Sequence, residues 1–175
     1  MDDHRNALQL LNGLFAEGFD TGGVIEKDGL DDRLTIKGDQ QAFVGTLLIL
    51  VDAETAAYAE VLVHIIQQRQ RGVIIGDRTM GRVFEEKIAA TARGTAYAYN
   101  VSGISIPYGE VVFKDGTVLD GRGVAPDYQL LPSPADLAAR RDIVLSKALE
   151  LVKEKLSPEE AYALFPRYED LEDDY

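Results

Sequence analysis

Between the apolar run Leu47–Val51 and an amphipathic stretch from Ala56 to about Gln68, the chain turns through Asp52-Ala53-Glu54-Thr55. Such a turn carries backbone N–H groups without helical partners, and the dipole of the helix that follows favours negative charge. It therefore suits an oxyanion or a nucleophile. Thr55 is the hydroxyl at this place; it also suits the N-cap of the helix, and that structural role is the expected one. The chain has no cysteine, hence no thiolate nucleophile, disulfide or thiolate metal site. Of its two histidines, His4 lies in a stretch expected to fray, and His64 lies inside the helical pattern. Neither stands in a His-Glu-x-x-His arrangement, so no metal and no cofactor is expected.

The elements that would hold this turn follow from the pattern around it. Leu47–Val51 is too short for a helix and does not alternate, as expected of a strand buried on both faces. Ala56, Ala59, Val63 and Ile66 recur at helical spacing. Gly72 closes the helix after Arg69 and Arg71, which suit the negative end of the dipole. Val73–Ile75 is a second buried strand, closed by Gly76-Asp77-Arg78-Thr79. Together these make one β-α-β unit with parallel strands, and open α/β sheets place their sites at the carboxyl ends of such strands. Most such turns are structural, so the turn alone assigns no function.

The residues themselves go further. Val51-Asp52-Ala53-Glu54-Thr55-Ala56-Ala57-Tyr58-Ala59-Glu60 resembles the nucleophile segment of the C-terminal processing (tail-specific) serine peptidases, whose usual form is close to Val-Asn-Glu-Gly-Thr-Ala-Ser-Ala-Ser-Glu. Gly76-Asp77-Arg78-Thr79-Met80-Gly81-Arg82 is similar to their Gly-Glu-Arg-Thr-Phe-Gly-Lys. Asp120-Gly121-Arg122-Gly123-Val124-Ala125-Pro126-Asp127 resembles their Gln-Gly-Lys-Gly-Ile-Glu-Pro-Asp, and Arg141-Asp142 through Ala148-Leu149 resembles their closing helix. The four segments, in the family's order, cover roughly Met1 to Leu151. The resemblance implies an α/β fold, the ClpP/crotonase-like superhelix of β-β-α units. It also implies peptide-bond hydrolysis by a serine–lysine dyad on a polypeptide substrate.

At the dyad positions the chain departs from the family. The serine of the family lies three residues before the glutamate that is Glu60 here, and that place holds Ala57. The base lysine closes the Gly-Asp-Arg-Thr-Met-Gly segment, and that place holds Arg82. Ala57 has no atom that could form an acyl-enzyme. An arginine stays protonated and cannot act as the base. By the resemblance the catalytic positions are Ala57, Arg82, Glu60 and Glu86, with Thr55, Ala56 and Tyr58 beside the substrate. His64 lies two helical turns beyond Ala57, roughly 10 Å along the axis, too far to touch that site. Two explanations for Ala57 stand side by side: a serine replaced in an otherwise working peptidase, or a natural pseudopeptidase. Either way the chain is expected to be inactive as written, and the alternative function is non-catalytic binding of a peptide or an apolar ligand.

The remainder is read more briefly. An amphipathic helix is expected over Ala7–Phe15, a hairpin from Val24–Glu26 and Leu34–Ile36, and a turn at Gly22-Gly23. Strands are expected over Phe84–Tyr99 and Gly103–Val112, with a tight turn at Lys114-Asp115-Gly116-Thr117. Pro132-Ser133-Pro134 reads as a linker, Asp136–Lys155 as one long helix, and Ser157-Pro158 as the start of a last helix. Tyr168–Tyr175 is an acidic run, expected to be a solvated tail. Residues 1–156 form the peptidase-like core portion and 157–175 the C-terminal helix and tail. The family's upstream glycine-rich strand and its PDZ module do not appear in this sequence, so the chain resembles the C-terminal portion of a longer protein. A sheet left with an open edge would invite pairing with a second copy, a homodimer. The net charge of −12 in 175 residues argues against nucleic acid as a partner, because nothing offsets phosphate repulsion. No apolar run approaches a membrane span, and the N-terminus shows no signal-peptide core.

Overall fold

The computed structural model describes residues 3–26, 29–95 and 98–165. In chain order the elements are α1 (Asp3–Asn12), β1 (Phe19–Glu26), β2 (Gly29–Ile36), β3 (Leu48–Val51), α2 (Tyr58–Gln68) and β4 (Val73–Gly76). There follow β5 (Phe84–Thr95), β6 (Ala98–Phe113), β7 (Tyr128–Gln129), α3 (Pro134–Ala138), α4 (Ile143–Leu151) and α5 (Pro158–Tyr162). The chain divides into two compact units.

The first unit holds Met1–Val44, Ala56–Ile65 and Met80–Val124. Its sheet has the order β2-β1-β6-β5, antiparallel throughout. Leu11, Leu34, Ile36, Val61, Val63, Ile65, Val111 and Phe113 are buried in it. His4 falls in the first turn of α1. The hairpin β1–β2 is longer than alternation alone suggested, and Gly22-Gly23 lies within β1 instead of forming a turn. The register slips between Asp20 and Gly22. Gly22 there adopts φ 136°, and a Cβ would strike the Val112 carbonyl oxygen of β6. The glycine answers a close approach by a neighbouring strand. At the far end of β6, Gly116 at φ 85° closes the expected turn, with Phe113 N–H donating to the Thr117 carbonyl at 2.9 Å.

The second unit holds Gly45–Thr55, Ile66–Thr79 and Ala125–Tyr175. Its three-stranded sheet is parallel, in the order β3-β4-β7, with Leu48 opposite Val73 and Val51 opposite Gly76. The expected β-α-β unit is therefore present. β3 lies at the edge of this sheet, so Leu50 remains 45% exposed and the strand is not buried on both faces. Gly76 has φ 131°, and a side chain there would collide with the Val51 carbonyl oxygen. The end of α2 also differs from expectation. Gln70 takes the left-handed conformation, φ 52°, and Arg71 N–H closes on the Ile66 carbonyl at 2.9 Å. That is the glycine-type helix ending carried by a glutamine.

Asp136–Lys155 is two helices, not one. Ser133 caps α3 in a capping box with Asp136, with Pro134 at the first turn. Arg140 then turns left-handed at φ 51°, and Asp142 caps α4 by accepting from Leu145 N–H at 2.8 Å. Arg141, in the link between α3 and α4, bridges Asp136 at 3.3 Å and Glu159 at 3.0 Å, which joins α3 and α5 through one guanidinium. α5 opens as expected with Ser157 as cap, Pro158 at the first turn and Glu160 completing the box. The acidic run Tyr168–Tyr175 lies outside the described residues.

Candidate functional site

The turn after β3 is closed by its own side chains. The Asp52 carboxylate accepts from the backbone N–H groups of Glu54 at 3.0 Å and Thr55 at 2.9 Å, and from the Thr55 hydroxyl at 2.9 Å. The Thr55 oxygen in turn accepts from Asp52 N–H at 3.1 Å. Thr55 is therefore not the cap of α2, which begins three residues later at Tyr58. Its hydroxyl is engaged in holding the turn, a local motif that competes with capping.

Ala57 stands immediately before α2 in the left-handed conformation, φ 56°, and is exposed. A residue with a Cβ pays roughly 1–2 kcal/mol to adopt that conformation, so surrounding bonds must hold it there. They do. Its N–H donates to the Arg82 carbonyl at 2.9 Å, and its own carbonyl accepts from Glu60 N–H at 3.0 Å.

Glu60 completes this frame from the first turn of α2. It is fully buried, and its two carboxylate oxygens accept from Gly81 N–H at 2.7 Å and Arg82 N–H at 2.8 Å. Burying a carboxylate is costly unless donors meet it, and here two backbone amides do so in parallel. Arg82 is thus gripped on both sides of its main chain. Gly81 has to be glycine: at φ 72°, an added Cβ would come within 2.8 Å of the amide nitrogens of both Arg122 and Gly123. Its carbonyl accepts from Gly121 N–H at 2.7 Å, which ties the Asp120–Gly123 segment to the same frame. Gly81 and Gly121 lie in separate sequence motifs, and nothing in their spacing shows that they dock on each other. Their shared glycine-rich character was the only available signal.

The Arg82 side chain leaves this frame half-exposed. Its guanidinium lies 3.7 Å from the Glu86 carboxylate, with 58% and 36% of the two side chains accessible, and 5.5 Å from the centre of the Phe84 ring. An ion pair so exposed contributes little to stability. The positions expected to carry catalysis, Ala57, Glu60, Arg82 and Glu86, are therefore joined in one network. Ala56 and Tyr58 flank Ala57 in the chain and are half-buried. His64 takes no part: its ring packs on Phe113 at 4.2 Å, and its buried Nε2 has no hydrogen-bond partner. Loss of solvent around the ring lowers its pKa, a trend that the Asp115 charge partly opposes. Among the described residues, no group of three or more His, Cys, Asp and Glu is placed to hold a metal ion.

Residues 12–130 match the model of peptidase family S41. The chain belongs to that family. The C-terminal processing peptidase of the chloroplast of Tetradesmus obliquus is 29% identical over 116 residues, 65% of this chain and 24% of that protein. The carboxyl-terminal-processing protease of Synechocystis sp. is 25% identical over 131 residues, 73% of this chain and 29% of that one. The chain thus spans about a quarter of the length of the curated relatives it matches. Among solved structures, a putative peptidase from Parabacteroides merdae superposes with a TM-score of 0.64 at 14% identity, over 85% of this chain and 47% of that one. The photosystem II D1 C-terminal processing protease superposes with a TM-score of 0.54 at 23% identity, over 77% and 33%. At these identities the superpositions establish the mixed α/β fold of S41 peptidases. Among the described residues, no helix is long and apolar enough to cross a membrane.

Proposed function

We propose that this chain carries the core of a serine-type C-terminal processing peptidase, of ClpP/crotonase-like superhelical architecture, in which the nucleophile position is Ala57 and the base position is Arg82. In this reading residues 1–156 are the core portion and the segment from 157 is its appendage. As written, the chain does not hydrolyse peptides. The observation that carries the reading is the bond from Ala57 N–H to the Arg82 carbonyl, 2.9 Å, with Glu60 holding Gly81 and Arg82 from below. A frame that fixes two backbone positions against each other is what a two-residue acyl-transfer machine requires, because both members must stay within hydrogen-bond reach.

In a working version, the hydroxyl at position 57 would attack the scissile carbonyl and pass its proton to a neutral amine at position 82. The leaving amine would take that proton, and water would then release the acyl group. Glu60, buried and saturated by amides, serves as a positioning residue. Ala57 offers no attacking atom, and the guanidinium of Arg82 keeps its proton. A non-catalytic reading is favoured by these same two residues: the protein binds an unstructured polypeptide segment or an apolar ligand beside Ala56, Ala57 and Tyr58 without turning it over.

Incubation with fluorescent peptides bearing free, unstructured C-termini separates the two. Saturable binding without fragments, with cleavage appearing only in A57S/R82K, supports the peptidase-derived reading. Binding that persists in A57S/R82K without any cleavage supports a dedicated binding domain. Cleavage by the unmodified chain overturns both.

A further inference from the structure

Residue 82 is pinned by its backbone, and three features of its surroundings act on the group its side chain carries. The side chain is 58% exposed, so burial does not work against a charge there. The Glu86 carboxylate lies 3.7 Å from the guanidinium, and the centre of the Phe84 ring lies 5.5 Å below it. Residues 82, 84 and 86 alternate along the chain as it enters β5, which brings the three side chains to one side. A carboxylate and the face of an aromatic ring each favour a cation over a neutral amine.

Neighbouring elements act in the same direction. The Glu60 carboxylate of α2 accepts the Arg82 N–H, the Asp120 carboxylate accepts from Val83 N–H at 3.3 Å, and Glu110 of β6 stands opposite Phe84. Arg122, in the segment that docks on Gly81, is a cation set against these acids. A lysine that works as a general base needs the reverse surroundings: burial that disfavours its charge, or a second cation beside it.

We propose that the surroundings of residue 82, and not its identity alone, hold that position cationic, with Glu86 as the residue that sets the proton affinity there; this rests on the reading of 82 as the base position. Placing a lysine at 82 then restores the shape of a base without its release of a proton near neutral pH. A57S/R82K is a catalyst of alkaline pH, and removing the charge of Glu86 moves its working range down.

NMR titration of isotope-labelled lysine in R82K and R82K/E86Q tests this without requiring activity, with circular dichroism as the check on folding. The signal that R82K adds to the parent spectrum is expected to titrate at or above the usual lysine value of about 10.4. In R82K/E86Q it should titrate about half a unit lower, which is about threefold more neutral amine at a given pH. The rate at which A57S/R82K reacts with a fluorophosphonate should climb with that titration. Near neutral pH it should be about twofold faster in A57S/R82K/E86Q, because the weaker base gives back part of the gain. A lysine at position 82 that titrates more than about one unit below the usual value, or equally with and without the Glu86 charge, overturns the proposal. If A57S/R82K takes no adduct at any pH, the peptidase reading fails, and the lysine titration still decides this one.

Discussion

Ala57 donates its backbone N–H to the Arg82 carbonyl at 2.9 Å, while Arg82 donates its own N–H to the buried Glu60 carboxylate at 2.8 Å. Positions 57 and 82 are therefore fixed relative to each other through backbone and a single buried acid. Neither of their own side chains enters those bonds. The frame therefore does not depend on the side chains that it presents.

Glu60→Gln is expected to lower the stability of folding by about 2–3 kcal/mol, because an amide donor then faces a backbone N–H in a fully buried place. Glu60→Ala should cost as much or more. Urea denaturation read by circular dichroism measures both, and a glutamine variant as stable as the parent would mean that the latch is dispensable.

The left-handed backbone at Ala57 makes a second prediction. Ala57→Gly should leave stability unchanged or raise it by up to about 1 kcal/mol, since relief of strain competes with the added freedom of the unfolded chain. Ala57→Val should lower it by about 2 kcal/mol, a branched side chain being poorly tolerated at φ 56°. Thermal melts of the pair give the comparison; the opposite order would place residue 57 in an ordinary helical conformation.

His64 makes stability depend on pH. Desolvation against Phe113 holds its folded-state pKa below the usual value near 6.5, with Asp115 opposing. The unfolded chain then takes up a proton before the folded one does. This contribution is complete above the unfolded pKa, falls away as pH drops below it, and levels off below the folded value. In His64→Phe the loss between neutral pH and about 5 should be smaller than in the parent, where other acids titrate alike in both. Equal slopes in the two proteins would rule out His64 as a source.

Much of the frame could be read from residue order. The apolar runs Leu47–Val51 and Val73–Ile75, with a helical pattern between them, dictate a parallel pair, and the motifs around them contain Ala57 and Arg82, which meet through one backbone hydrogen bond. What escaped was decided by partners distant in sequence. Gly22 reads locally as a turn, yet it lies in a strand because the Val112 carbonyl comes too close for any side chain. Ala138–Arg141 has ordinary helix formers, yet the helix breaks at Arg140 because Asp142 caps the next segment and Arg141 is drawn to Asp136 and Glu159. Thr55 has the chemistry of a cap, but Asp52 three residues earlier captures its hydroxyl first. In each case tertiary or side-chain contacts outweighed local preference.

The most direct test of the central claim is intact-mass measurement of the parent, A57S, R82K and A57S/R82K after incubation with a serine-reactive fluorophosphonate. The frame account predicts no adduct on the parent or R82K and one adduct per chain on A57S/R82K, mapped to position 57. A57S with Arg82 in place should react far more slowly, for want of a base. An adduct on the unmodified chain, or an A57S/R82K variant that folds normally and stays unlabelled, would contradict it.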